Sequence, residues 1–304
     1  MSVVKSFSVG NGDMFYIKHG CSCFTIIDSC LPEDRSREIL GEIWEESREK
    51  NIVRFISTHP DEDHIRGLKK LNEVIDIRNF YCVSNRAVED EKSEDFECYR
   101  HLRDSERHFN VNRSCSCKWL NRNDENDGCN YGCSGINFAW PDVCNSDYQN
   151  ALAKAENENA CNNISPIFTY GIENGAAIMW MGDMEREFQE KIMDCVQWPQ
   201  VDILFAPHHG RDSGRVPKEI LERVCPQIIV IGEAPSGYLN YYSGYNTITQ
   251  NRAGDIAFVC DDGLIDVYSS NENYECELPK RFLRGVWRDR CGFYKGSIRP
   301  YGAG

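Results

Sequence analysis

The chain has 304 residues, 41% of them hydrophobic and 11% aromatic, enough to bury a sizeable core in one large domain or two small ones. Its formal charge of -14 argues against broad adhesion to nucleic acid or anionic membrane, since such binders present a basic face that releases counterions. A nucleic-acid substrate stays open, because carboxylates that hold cations contribute to that charge and each bound dication reverses the local field.

No stretch approaches the roughly 20 uninterrupted apolar residues of a membrane span, and the first residues lack the layout of a secretory signal. A cytoplasmic protein with no membrane partner is therefore expected. Sixteen cysteines, spread from Cys21 to Cys291, then read as reduced thiols. Cys115 and Cys117, followed after eleven residues by Cys129 and Cys133, form a candidate structural zinc site, weighed against free or incidentally paired cysteines.

The first 30 residues alternate as β-structure: Val3 to Val9, a Gly10-Asn11-Gly12-Asp13 turn, Met14 to Lys18, then Cys23 to Ile27 ending at Asp28. Residues 32–50 have helical periodicity, 52–57 form a strand, 65–72 a helix and 78–83 another strand. Between about 85 and 135 the pattern dissolves into a charged, Asn-rich and Cys-rich insertion. Strands resume at 136–140. A hairpin follows from 165–170 through a turn at 173–175 to 176–181, which ends at Gly182-Asp183. After a helix over 185–196, strand 201–206 ends at Pro207-His208-His209-Gly210. A helix near 216–223 and strands at 227–231, 256–260 and 263–268 complete the pattern. The domain expectation is a hydrolase unit over 1–275 and a basic-aromatic extension over 276–304. Its Lys280–Arg290 stretch suits either a strand-gripping surface or an amphipathic helix packed on the domain.

Three strands thus end in metal-capable residues: His59-Pro60-Asp61-Glu62-Asp63-His64, Asp183, and His208-His209. Four of the seven histidines lie in these turns. Side chains delivered by rigid strand ends can hold two divalent metals close together, as metal-activated hydrolysis requires. Taken singly, each turn also suits an ordinary structural role, such as capping the helix that follows.

The succession Val9-Gly10-Asn11-Gly12-Asp13, Ile27-Asp28, Ser57-Thr58-His59-Pro60-Asp61-Glu62-Asp63-His64-Ile65-Arg66-Gly67, Asn162-Asn163-Ile164-Ser165, Gly182-Asp183 and Pro207-His208-His209-Gly210 resembles the metallo-β-lactamase fold superfamily. More narrowly, it resembles the hydrolase domain of the DNA-uptake protein ComEC, because Asp61 stands where most members of the superfamily have a second histidine. The resemblance covers about residues 3–270. It implies an α/β fold, an αββα sandwich of two mixed sheets flanked by helices. It also implies that His59 and Asp61 ligate one metal, Asp63 and His64 the other, that Asp183 bridges both, and that His208 completes the second site. The first metal's third ligand has no evident equivalent; Asn162 or Asn163 falls nearest the family's Asn-containing motif.

Asp61 hardens the ligand set, so Mn2+ or Mg2+ is as suitable as Zn2+. Two dications about 3.5–4 Å apart can hold a hydroxide between them and polarise a phosphoryl oxygen. Asp63 is then the candidate to orient that hydroxide or accept its proton. His209 is either a partner of the ligands or a contact to phosphate, and Arg211, Ser213 and Asn163 are substrate-binding candidates. A phosphodiesterase acting on nucleic acid, a nuclease, is the leading expectation. A hydrolase of a small molecule (cyclic nucleotide, lactone or thioester) and a non-catalytic pseudo-hydrolase are the alternatives.

Overall fold

The computed structural model describes residues 1–88, 93–113, 115–122, 134–172, 175–233, 241–261, 263–280 and 287–303. In chain order its first half contains β1 (Ser2–Ser6), β2 (Phe15–Lys18), β3 (Cys23–Ile27), α1 (Ser36–Ser47), β4 (Ile52–Ile56), α2 (Glu62–Ile65), α3 (Leu68–Ile75), β5 (Phe80–Cys82), α4 (Glu94–Arg103) and β6 (His108–Asn110). There follow β7 (Ile136–Trp140), α5 (Ser146–Asn157), β8 (Ile167–Gly171), β9 (Ala177–Trp180), α6 (Arg186–Ile192), β10 (Ile203–Phe205), α7 (Lys218–Val224) and β11 (Ile228–Ile231). The chain closes with β12 (Thr247–Thr249), α8 (Gln250–Ala253), β13 (Ile256–Asp261), β14 (Leu264–Ser269), β15 (Trp287–Arg288) and β16 (Gly292–Ile298).

These strands build two mixed sheets. A ten-stranded sheet has the order β15-β16-β14-β13-β1-β2-β3-β4-β5-β6, and a six-stranded sheet the order β12-β11-β10-β9-β8-β7. β3 to β6 run parallel to one another, as do β9 to β12, while the remaining pairs are antiparallel.

Strand alternation divides each hydrophobic run between two cores. In β3, Ile27 faces the six-stranded sheet, while Phe24 and Ile26 face outward onto Ile39, Ile43, Leu68, Leu71 and Tyr99 of α1, α3 and α4. Between the sheets, Trp180 lies at the centre of an aromatic cluster, with Phe205 at 5.1 Å, Phe168 at 5.4 Å and Phe15 at 6.1 Å between ring centroids. Tyr148, Phe188, Ile192, Ile220 and Leu221 of α5, α6 and α7 join the same core from the far side. The layers are helix, sheet, sheet, helix, the expected α/β architecture.

Three segments depart from the sequence-based expectation. Within the 85–135 insertion, α4 forms behind its Ser93 cap, whose hydroxyl accepts from the Phe96 amide at 3.1 Å, and β6 extends the large sheet. Its apolar stripe, Phe96, Tyr99 and Leu102, is one residue wide among charged neighbours, so the period is faint. Ser146–Asn157, a polar and Ala-rich stretch to which the sequence pattern assigns no element, is α5, capped by Asn145. Near the C-terminus, β16 pairs onto β14 and β15 onto β16; of the Lys280–Arg290 stretch, only 280 and 287–290 lie among the described residues, and Trp287–Arg288 there are strand. Arg290 is engaged by Glu45 at 2.6 Å. Residues 281–286, the turn residues 173–174, and Cys129 and Cys133 of the candidate zinc site lie outside the described residues. None of the described helices is long and apolar enough to cross a membrane.

Trp180 is 2% exposed and touches both sheets, so Trp180→Ala should destabilise the fold by about 3–5 kcal/mol. Urea denaturation measures this; a midpoint unchanged from the native chain would contradict the packing described.

Candidate metal centre

The parallel segments of both sheets end at one edge, and their C-terminal ends supply the site. β4 runs into Ser57-Thr58-His59, and the following turn and α2 carry Asp61, Asp63 and His64. Parallel pairing of Ile27 with Ile56 brings Asp28 alongside, its amide donating to the Ile56 carbonyl at 3.0 Å. From the second sheet, β9 leads to Gly182-Asp183 and β10 to His208-His209, with the His208 amide bonded to the Gly182 carbonyl at 3.1 Å. Ser165 joins the two halves, since its hydroxyl accepts from the Asp183 amide at 3.3 Å and lies 3.4 Å from His59 Nδ1.

Two glycines make this convergence possible. Gly182 has φ +52°, and a Cβ there would fall 2.5 Å from Ser165 Oγ and 3.0 Å from Thr58 Cβ. At Gly12 a Cβ would stand 2.5 Å from the Asp63 carbonyl oxygen, so only glycine lets the β1–β2 turn close on α2. That closure is sealed by a 3.1 Å bond from the Asp13 amide to the Asp63 carbonyl, which places Asp13 in the site.

The side chains converge tightly. His64 Nε2 lies 3.1 Å from Asp183 Oδ1, and His209 Nε2 lies 3.3 Å from both Asp183 Oδ2 and Asp63 Oδ2. His209 Nδ1 faces Asp13 Oδ1 at 3.1 Å, and His208 Nε2 is 3.8 Å from Asp183 Oδ2. His59 Nε2 stands 3.5 Å from Asp61 Oδ2, and its ring centroid is 4.1 Å from that of His64. One donor atom from each of Asp13, His64, Asp183 and His209 falls within 4.8 Å of the others.

Whether these residues suit a metal can be judged from atoms left over. His59 Nε2, His64 Nε2 and Asp183 Oδ1 are buried without a hydrogen-bond partner among the described residues. His64 Nε2 and Asp183 Oδ1 are close to each other yet lack the alignment of a hydrogen bond. Buried polar atoms left in this way are costly unless a cation or a water uses them, and three of them at one edge suit a cation. Imidazole and carboxylate together suit Zn2+ and Mn2+.

Electrostatics point the same way. Burial disfavours the imidazolium of His64, yet the carboxylates of Asp183 and Asp28 outweigh it and raise its pKa well above the ordinary histidine value. At His209 burial is likewise outweighed by Asp183 and Asp13. Burial works against ionisation of Asp183, but His64 and His209 hold its carboxyl well below the usual range; Asp63 is lowered too, against burial, by the His209 hydrogen bond and the His64 charge. His208 has less support, and burial lowers its pKa. The cluster draws in positive charge wherever a proton can supply it.

Behind the donors stands a buried brace. Asp28 Oδ2 lies 2.9 Å from His64 Nδ1, and Asp28 also accepts from the Thr58 amide at 2.8 Å and the Thr58 hydroxyl at 2.6 Å. This fixes which His64 nitrogen faces the cluster.

The predicted ligands His59, Asp61, Asp63, His64, Asp183 and His208 all lie at this edge. The structure places His209 deeper than His208: the former reaches Asp13, Asp63 and Asp183, while His208 Nδ1 bonds with Ser213 Oγ at 2.9 Å. Arg211 is at the rim, hydrogen-bonded to Asn11. Asn163 has its amide engaged by Glu185, at 2.7 Å to the carboxylate and 3.0 Å from the backbone amide. Asp13, Asp28 and Ser165 were given no role by the residue pattern. Asp13 sits in a glycine turn and Asp28 at a strand end, where an aspartate is unremarked.

No family model matches the chain, and no curated protein does. Among solved structures it is similar to the metallo-beta-lactamase fold protein YhfI from Bacillus subtilis, with a TM-score of 0.47 and 9% identity over 82% of this chain and 96% of that one.

Asp28→Asn should lower affinity for Zn2+ or Mn2+ about 10–100-fold by loosening His64. Equilibrium dialysis with elemental analysis reads the change; native affinity in the variant would show that the brace does not act on the donor.

Proposed function

We propose that the chain is a metal-dependent hydrolase of the metallo-β-lactamase type that cleaves phosphodiester bonds, with DNA as its substrate class. The observation that carries the reading is the set of buried, unpartnered donors on His59, His64 and Asp183, at an edge open to solvent through Asp61, Asp63 and His208. His59 and Asp61 would hold one divalent ion. Asp63, His64, Asp183 and His209, with Asp13 and His208 beside them, would hold the other. Such ions, when bound, polarise a phosphoryl oxygen and activate water near neutral pH.

The chain's own residues supply the rest. Asp63 Oδ2, which accepts from Asn11 Nδ2 at 3.1 Å, would orient an attacking water. Two guanidiniums border the opening: Arg211 bonds to the Asn11 side chain and Arg66 to the Asn11 carbonyl at 3.0 Å. In a chain of charge -14, paired arginines beside the site favour an anionic substrate such as a phosphodiester. Ser213 offers a further contact to a non-bridging oxygen. Asp61, the residue behind the ComEC-like resemblance, supports the nuclease reading and makes Mn2+ as suitable as Zn2+.

Chelator-treated protein reloaded with Mn2+ or Zn2+ should turn over bis-p-nitrophenyl phosphate and single-stranded DNA, and Asp183→Asn should cost at least about 10²–10³-fold in rate. Hydrolysis confined to cyclic nucleotides would replace DNA with a small substrate, and bound metal without any turnover would leave a non-catalytic protein.

Arg211→Ala should raise KM for DNA several-fold while leaving kcat for bis-p-nitrophenyl phosphate little changed. Steady-state kinetics on both substrates decides; equal KM values in variant and native protein remove Arg211 from substrate binding.

A further inference from the structure

The turn joining β2 to β3 carries Cys21 and Cys23, outside the metal centre. Cys21 is exposed, whereas Cys23, at the start of β3, is 1% exposed. Ser22 alone separates them along the chain, so both thiols belong to one turn. Two cations hold them. Arg54, fully buried on β4, donates from Nη2 to Cys23 Sγ at 3.3 Å, and Lys50 Nζ bonds to the carbonyls of His19 at 3.0 Å and Cys21 at 2.6 Å. One sulfur therefore faces solvent, and the second waits behind it against a guanidinium.

We propose that Cys21 and Cys23 form a reactive dithiol site that takes small-molecule disulfides as its substrate class, converting them to thiols as an intrachain Cys21–Cys23 disulfide forms. Cys21 is the attacking group. The hydrogen bond from Cys23 is the main force bringing its thiol down to about 6, against burial and with help from Arg54, so the thiolate predominates at neutral pH. It attacks one sulfur of the disulfide, a new S–S bond forms, and the first thiolate leaves and takes a proton from water.

Cys23 then resolves the mixed disulfide. Its thiol is pushed up chiefly by its hydrogen bond to the Cys21 thiolate, with burial second and Arg54 opposing. Capping Cys21 abolishes that anion and with it the largest force raising Cys23, so that Arg54 opposes burial alone. Cys23 loses its proton to water and attacks Cys21 Sγ, and the second thiol departs. Two protein thiols are oxidised and one small disulfide is reduced to two thiols, so electrons and protons balance.

The test uses the full chain with oxidised glutathione as the probe, followed by acid quench, alkylation and peptide mapping. In the native chain, the peptide spanning residues 19–35, which also contains Cys30, should lose two alkylation sites and two hydrogens, with the bond placed between Cys21 and Cys23. Cys23→Ser should instead retain glutathione on Cys21. As a second measurement, the rate of Cys21 alkylation should level off near pH 7, whereas an unstructured cysteine peptide keeps rising through about pH 8.5. The plateau decides better than the neutral rate, because a low thiol pKa also weakens the nucleophile. Persistent glutathione on Cys21 of the native chain, a Cys30 partner, or a pH profile matching the free peptide would each overturn the proposal.

Discussion

Burial of negative charge at the edge where the two sheets meet is the constraint on which the rest depends. Asp28 is fully buried and Asp183 is 2% exposed, and a carboxylate so placed is tolerable only with partners already positioned. Asp28 receives the Thr58 amide and hydroxyl and faces His64, while Asp183 lies against His64 and His209. These partners come from strand ends whose relative placement is set by parallel pairing, so the sheets carry the cost of assembling like charges. What pairing leaves over, the free donor atoms of His59, His64 and Asp183, is the opening for a cation.

The same constraint accounts for the backbone. Asp28, His208 and His209 all have φ near +55°, with Gly182 close by at +52°, in the left-handed region that residues with a Cβ enter at a cost. Such residues persist when their surroundings over-determine them. Here both neighbouring strands and the site's own hydrogen bonds do so, and the gain is that adjacent histidines 208 and 209 point in different directions. One reaches Ser213 and the rim, and the other reaches Asp13, Asp63 and Asp183. The chemistry proposed for the site needs that division, since one set of groups must hold cations while another contacts substrate.

Much of this was legible along the chain. Hydrophobic runs that stop abruptly at polar residues marked β4, β9 and β10, and the order of His59 to His64, Asp183 and His208-His209 marked their ends as special. Where the pattern was weak, reading failed for identifiable reasons. α4 has a stripe only one residue wide among charged neighbours. β15 is a two-residue edge strand, and β16 beside it carries Gly292 and Gly296, so sheet pairing rather than propensity brings both into order.

Local composition determined the two-core strand pattern, the strand-end donors and their chemical type, because a period of two and a run of His and Asp are properties of neighbouring residues. Only the tertiary structure decided that Asp13 belongs with His209, 196 positions away, and that Asp28 braces His64, 36 positions away. It likewise decided that His209, rather than His208, lies deepest. An aspartate in a glycine turn or at a strand end carries no local sign of its partner. Its role arises when sheet register and turn closure bring the distant groups within hydrogen-bond reach.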